Sequence, residues 1–199
     1  MEHQSNAIVW MDVLLQPSDF SRLVIRGERT IAIENEGDIV FRGDLSQHRL
    51  EAFIRNVCQW GGYSGIATRV LAHNSYAAIK HAFQNAINKL SQPYPDPGHA
   101  LYEINQVSGL GKPSFASKHL RFLSPEVCPV FDSIIEKNSS YPYDEVGYGW
   151  FVEDCLKIAA SLESCNTPNP MMRPQGKWYA ADVEVALYRY LKYGRPCAG

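Results

Sequence analysis

From residue 44 onward the apolar residues recur at helical spacing. In LSQHRLEAFIRNVCQW, Leu50, Phe53, Ile54 and Val57 fall at i, i+3, i+4 and i+7, which predicts a helix closed by Gly61 and Gly62. SGIATRVLAHN reads as a short helix stopped near Asn74. Ser75 is suited to cap the next helix, along which Ile79, Ala82, Phe83, Ala86, Ile87 and Leu90 form a continuous apolar stripe. SQPYPDPG interrupts the pattern and is the best linker candidate. A short helix over roughly residues 99–106 follows. Further on, Phe151, Cys155, Leu156, Ala159 and Leu162 share one face of an amphipathic helix. The polar, proline-rich NTPNPMMRPQG then leads into a last helix, residues 177–193, with Val183, Ala186, Leu187 and Tyr190 turned inward.

The earlier residues follow another pattern. RLVIRGERTIAIENEGDIVFRGD divides into short β-rich runs at residues 23–25, 30–33 and 39–41, separated by Gly27 and a turn-like ENEGD. That pattern predicts two or three antiparallel strands. Residues 7–15 fit neither period. The expected architecture is one domain over residues 1–199: mostly α, with a small antiparallel β element in residues 1–44 and a helical body in 45–199.

Composition narrows the class. The chain has 199 residues, 45% hydrophobic and 20% charged, which fits a globular domain with its own core. No stretch approaches the roughly 18 apolar residues of a spanning helix. MEHQSNAIVWMDVLLQ has an early acid and no basic leader, unlike a signal peptide, so the expectation is a cytoplasmic protein. The five cysteines (Cys58, Cys128, Cys155, Cys165, Cys197) contain no CxxC pair, and the six histidines no HxxxH or HExxH. Reduced thiols and neither metal nor cofactor are expected. With a formal net charge of −2, any hold on nucleic acid must come from a local basic surface.

VSGLGKPSFASKHLRFLSPEVCPVFDS, residues 107–133, is where candidate chemistry gathers. SGLG between two helices is a tight turn, and a helix starting after it directs free backbone N–H groups and a positive dipole end outward. Between Ile104 and Pro125 there is no Asp or Glu, while Lys112, Lys118 and Arg121 occur there with His119. Clustered cations of this kind suit phosphate contact through counterion release. Asp132 then stands among Val130, Phe131, Ile134 and Ile135, where burial has a cost unless the carboxylate has a partner or a task. It can cap a helix starting at Ser133, act as a catalytic carboxylate, or do both.

The hairpin GxG, the small-residue helix and the apolar stretch ending in Asp resemble the helix-hairpin-helix DNA glycosylases. GLGKPSFASKHLRFL…PVFDSII is most similar to their bacterial 8-oxoguanine branch, over about thirty residues. The resemblance implies an enzyme that flips an oxidised or modified purine out of duplex DNA and breaks its glycosidic bond. It implies a DNA-contacting set of Gly109, Gly111, Lys112, Ser114, Lys118 and Arg121, with Asp132 as the catalytic carboxylate. The family's lysine slot falls on Ser114, because one extra residue separates Gly111 from Ala116. Lys112, Lys118 or neither is then the Schiff-base nucleophile that would add lyase activity. Trp60, Phe115 and Trp178 are candidates for a base pocket or wedge, each equally readable as core. The implied partner is double-stranded DNA carrying a damaged base, engaged by a nucleoid-associated monomer with no membrane contact. The alternative is a non-catalytic helix-hairpin-helix module that binds nucleic acid or a partner, such as one serving a bacterial defence or base-modification operon.

Overall fold

A computed structural model describes residues 7–194 except Gly111, with Lys112 described by its backbone alone. The β element is present but lies earlier than the pattern predicts. Strands β1 (Ile8–Trp10) and β2 (Val13–Leu15) pair antiparallel in register Trp10↔Val13, burying Ile8, Trp10, Val13 and Leu15 on one face. Helices α1 (Pro17–Leu23) and α2 (Glu28–Phe41) occupy the stretch expected as strands. Residues 30–33 and 39–41 are thus helical. The reason is a face of Ile33, Gly37 and Val40, spaced for a helix and buried, which outweighs the weak helix preference of β-branched residues. Val24 is the extended cap of α1, and the strand expected at residues 23–25 does not form.

The stripes read downstream become α3 (Gln47–Trp60), α4 (Ser64–His73) and α5 (Tyr76–Leu90), with the Ala78 N–H donating to Ser75 Oγ at 3.2 Å. Then come α6 (Pro97–Asn105), α7 (Lys112–Leu123), α8 (Ser133–Lys137), α9 (Glu145–Ser164) and α10 (Ala180–Tyr193). The last helix begins three residues later than expected, after a 3-10 turn at Pro174–Gly176. No helix among the described residues is long and apolar enough to cross a membrane.

Helix α7 sits at the centre. It packs against α2, α3 and α6, and every residue from 115 to 123 is buried. Its approach to α2 is close enough that a Cβ built on Gly37 would meet the Phe122 carbonyl oxygen at 1.9 Å. A helix enclosed on all sides must satisfy its polar side chains internally. Arg121 forms an ion pair with Glu34 of α2 at 2.7 Å, although its Nε and His119 Nε2 have no hydrogen-bond partner among the described residues, and Glu34 is shared with Arg173, which in turn pairs with Asp182 of α10 at 2.7 Å. This chain of charges ties α2, α7, α10 and the 166–176 loop together.

Candidate active site

The hairpin is held from outside its own helices. Asn74 Oδ1 accepts from the Ser108 N–H at 3.0 Å, and its amide donates to the Ser108 carbonyl at 2.8 Å. Gly109 takes φ +80°, a left-handed turn that a side chain would strain. Gly111 and the Lys112 side chain lie outside the described residues, so their expected roles in gripping DNA and in chemistry are neither placed nor excluded.

Behind the hairpin a cleft of about 550 Å³ opens between α7, α10 and the start of α8. Its walls carry Ser114, Phe115 and Lys118 from α7, Asp132 from the α8 cap, and Glu184 from α10. Trp60 and Tyr63 line the mouth region contributed by the end of α3. Lys118 projects from the buried helix, its side chain running along Gly61. Its ammonium donates to Ser114 Oγ at 2.7 Å and lies 4.8 Å from the Phe115 ring centroid. Ser114 is thus hydrogen-bonded to the lysine one helical turn later, and both line the same cleft.

Asp132 caps α8 as its position predicts. Oδ1 accepts from the Ile134 N–H at 2.9 Å and the Ile135 N–H at 3.2 Å. Both bonds fall on Oδ1, so Oδ2 has no hydrogen bond among the described residues. Ser117 fixes the approach to this cap, accepting from the Phe131 N–H at 2.9 Å.

Burial acts in opposite directions on the ionisable groups in and beside the cleft, which is also lined by Arg189 and Lys192 of α10. Burial pushes the Lys118 ammonium below its usual range, while Asp132, Glu184 and Cys58 pull the other way. Burial pushes the Glu184 carboxyl up to about 8, reinforced by Asp132 and opposed by Arg121, Lys118 and the Val130 backbone. Burial likewise raises the Cys58 thiol to about 11, so it stays protonated beside Lys118. The cleft therefore holds a lysine whose charged form burial disfavours and, at neutral pH, a glutamic acid that retains its proton.

Several expected residues are placed elsewhere. Arg121 is 1% exposed and committed to Glu34, lying 4.4 Å over the Phe122 ring, so it does not reach a phosphate on the surface. This corrects the expectation of a DNA contact there. Lys118 is 8% exposed and faces the cleft rather than the outer surface, which leaves it suited to a pocket contact and not to a backbone phosphate. His119 is fully buried, its Nδ1 2.7 Å from the Phe115 carbonyl, and burial lowers it to about 4, so it adds no charge. Trp178 is core, donating to the Thr167 carbonyl at 2.8 Å and packing edge-on to Phe20. Trp60 and Phe115 do line the cleft.

Glu184 was not read from the sequence. Its signal was the one used for Asp132, an acid inside an apolar run, here in ADVEVAL. A larger groove of about 770 Å³, with Tyr94, Asp96, His99, Glu145, Trp150 and Glu153 on its walls, has no lysine, arginine, serine or cysteine among its lining residues. Among the described residues no group of three or more His, Cys, Asp or Glu side chains is disposed to hold a metal. No protein-family model, no curated protein and no solved structure matches this chain.

Proposed function

We propose that the chain is a DNA N-glycosylase that takes an oxidised purine of the 8-oxoguanine type into the cleft between α7 and α10 and releases it, with Lys118 as the attacking amine. The observation that carries this reading is a buried lysine that shares with two carboxyl groups a cleft large enough to admit a nucleobase. A lysine amine is a nucleophile only when neutral, and burial moves Lys118 toward that form. Its nitrogen attacks the sugar C1′ as the glycosidic bond breaks and the bond's electrons leave with the base. The resulting secondary amine opens the sugar ring to a Schiff base, from which strand cleavage can follow.

Asp132 carries the complementary role. Held at the N-terminus of α8 by two backbone N–H groups, its carboxylate faces the region where positive charge develops on the sugar. Phe115, Tyr63 and Trp60 supply flat apolar surface for an extruded base. The hairpin around Gly109 would grip the backbone beside the lesion.

Borohydride trapping on an oxidised-guanine duplex tests the reading. Wild type should give a covalent protein–DNA adduct and free base, and Lys118→Ala should give no adduct. An adduct that persists in Lys118→Ala moves the nucleophile to Lys112. A wild-type protein that traps nothing and releases no base, from this or any other damaged duplex, ends the glycosylase reading.

A further inference from the structure

A leaving purine must gain a proton, and an amine that has attacked carbon must lose one. Asp132 is engaged as the α8 cap by two backbone N–H groups, and Ser114 is a hydroxyl rather than a carboxyl group. Glu184 lines the α10 wall of the cleft, opposite Lys118 and Asp132, and is 4% exposed. No salt bridge engages it among the described residues, whereas the buried carboxylates Glu34 and Asp182, the latter also on α10, are each paired with arginine.

We propose that Glu184 is the proton donor to the departing base and then the acceptor of the Lys118 proton, an inference that rests on the glycosylase reading of the same cleft. The steps balance as follows. Neutral Lys118 attacks C1′, the C1′–N bond breaks, and the base nitrogen that receives the electron pair takes the Glu184 proton. The Glu184 carboxylate so formed removes a proton from the secondary ammonium on Lys118. The nitrogen lone pair then expels the ring oxygen, which receives that proton from Glu184, giving a protonated Schiff base and leaving Glu184 as the carboxylate that balances its charge.

Charge around the residue suits the cycle. The groups whose fields reach Glu184 are Lys118 and Arg121 of α7, Asp132 at the α8 cap, and Tyr148 and Cys155 of α9. Burial first, then Asp132, keeps its carboxyl protonated up to about 8, which places a donor in the cleft at neutral pH. Lys118 and Arg121 favour the ionised form, so the carboxylate left after donation is not isolated.

The test is single-turnover base release from an oxidised-guanine duplex across pH, for wild type, Glu184→Gln and Glu184→Asp, with folding checked by circular dichroism. Wild-type release should fall as pH rises through about 8. Glu184→Gln should slow release by at least about 100-fold, the lower end of what a positioned acid contributes, and abolish that limb. Its affinity for an uncleavable duplex should stay within about twofold. Glu184→Asp should recover part of the rate and of the limb, which a packing role would not produce. A folded Glu184→Gln with wild-type rate and an unchanged high-pH limb overturns the inference and leaves the glycosylase reading standing. A wild-type protein that releases no base overturns both.

Discussion

Lys118 costs the fold something, and that cost separates a catalytic from a structural lysine. Its folded-state pKa is depressed by burial, so below that pKa the native state carries an ammonium in a place that disfavours it. Lys118→Met should abolish the borohydride adduct while leaving the melting temperature unchanged or higher, a pairing expected of a functional residue. Asp132→Asn separates charge from shape in the same way. Asn caps helices about as well as Asp, so stability should change by only a few tenths of a kcal/mol. Base release should fall by roughly 10²–10³-fold, as for loss of a group aimed at developing charge. Glu184 gives the pH dependence its sign. Its folded-state value is raised from 4.5 to about 8, so across that window the native state keeps a proton the unfolded chain has released. The corresponding stability is complete below about 4.5 and is lost as pH rises through about 8. Thermal denaturation near pH 5, 7 and 9 should show Glu184→Gln gaining on wild type with each step. Asp132 was legible because an acid among apolar neighbours is conspicuous. Glu184 carried the same signal without a motif beside it, and Lys118 and Ser114 could not be told apart as chemistry until the helix brought them into one hydrogen bond.

Among the elements, long stripes were easier to read than short ones. The faces of α3 and α5 each span several turns, so their period is unambiguous, and Ser75 marks the boundary of α5 with its cap. Helix α2 misleads because Thr30–Ile33 alternates and Ile39 and Val40 are β-branched, while its buried face includes a glycine that no hydrophobic count registers. That glycine is where α2 touches the α7 backbone. Gly37→Ala should destabilise the fold by roughly 1–3 kcal/mol or more, because neither backbone can yield without parting the helices. Chemical denaturation measures it directly. The hairpin clamp was illegible for a different reason: Asn74 sits at the end of α4, far along the chain from Ser108. Asn74→Ala removes two hydrogen bonds to the turn and should cost about 1–2 kcal/mol. Amide exchange should show the loss concentrated at Ser108–Leu110, with weaker DNA binding and an unaltered cleft.

For the molecule as a whole, the basic segment and the acidic net charge are reconciled by burial. In a chain of net charge −2, Arg121 and Lys118 are directed inward, so the cations that appeared to form a DNA-facing stripe do not add up on one surface. Sequence spacing could not distinguish a phosphate from Glu34 as the partner of Arg121, because Glu34 comes from a helix far earlier in the chain. Glu34 is governed by opposing effects. Burial raises it, but Arg173 and Arg121 outweigh burial, and its pKa lies below 4.5. The stability contributed by this cluster is therefore present above 4.5 and lost as pH falls through the depressed value. Arg121→Met breaks one limb of the cluster while Arg173 still holds Glu34, so the loss should be up to about 3 kcal/mol, the low end for a broken buried pair. A phosphate-contacting cation would behave otherwise, since its removal lowers the slope of log K against log salt by about one. Arg121→Met should leave that slope at its wild-type value while lowering the melting temperature. A slope that drops by about one, with stability intact, would return Arg121 to the DNA interface and require α7 to expose a face that is closed in this fold.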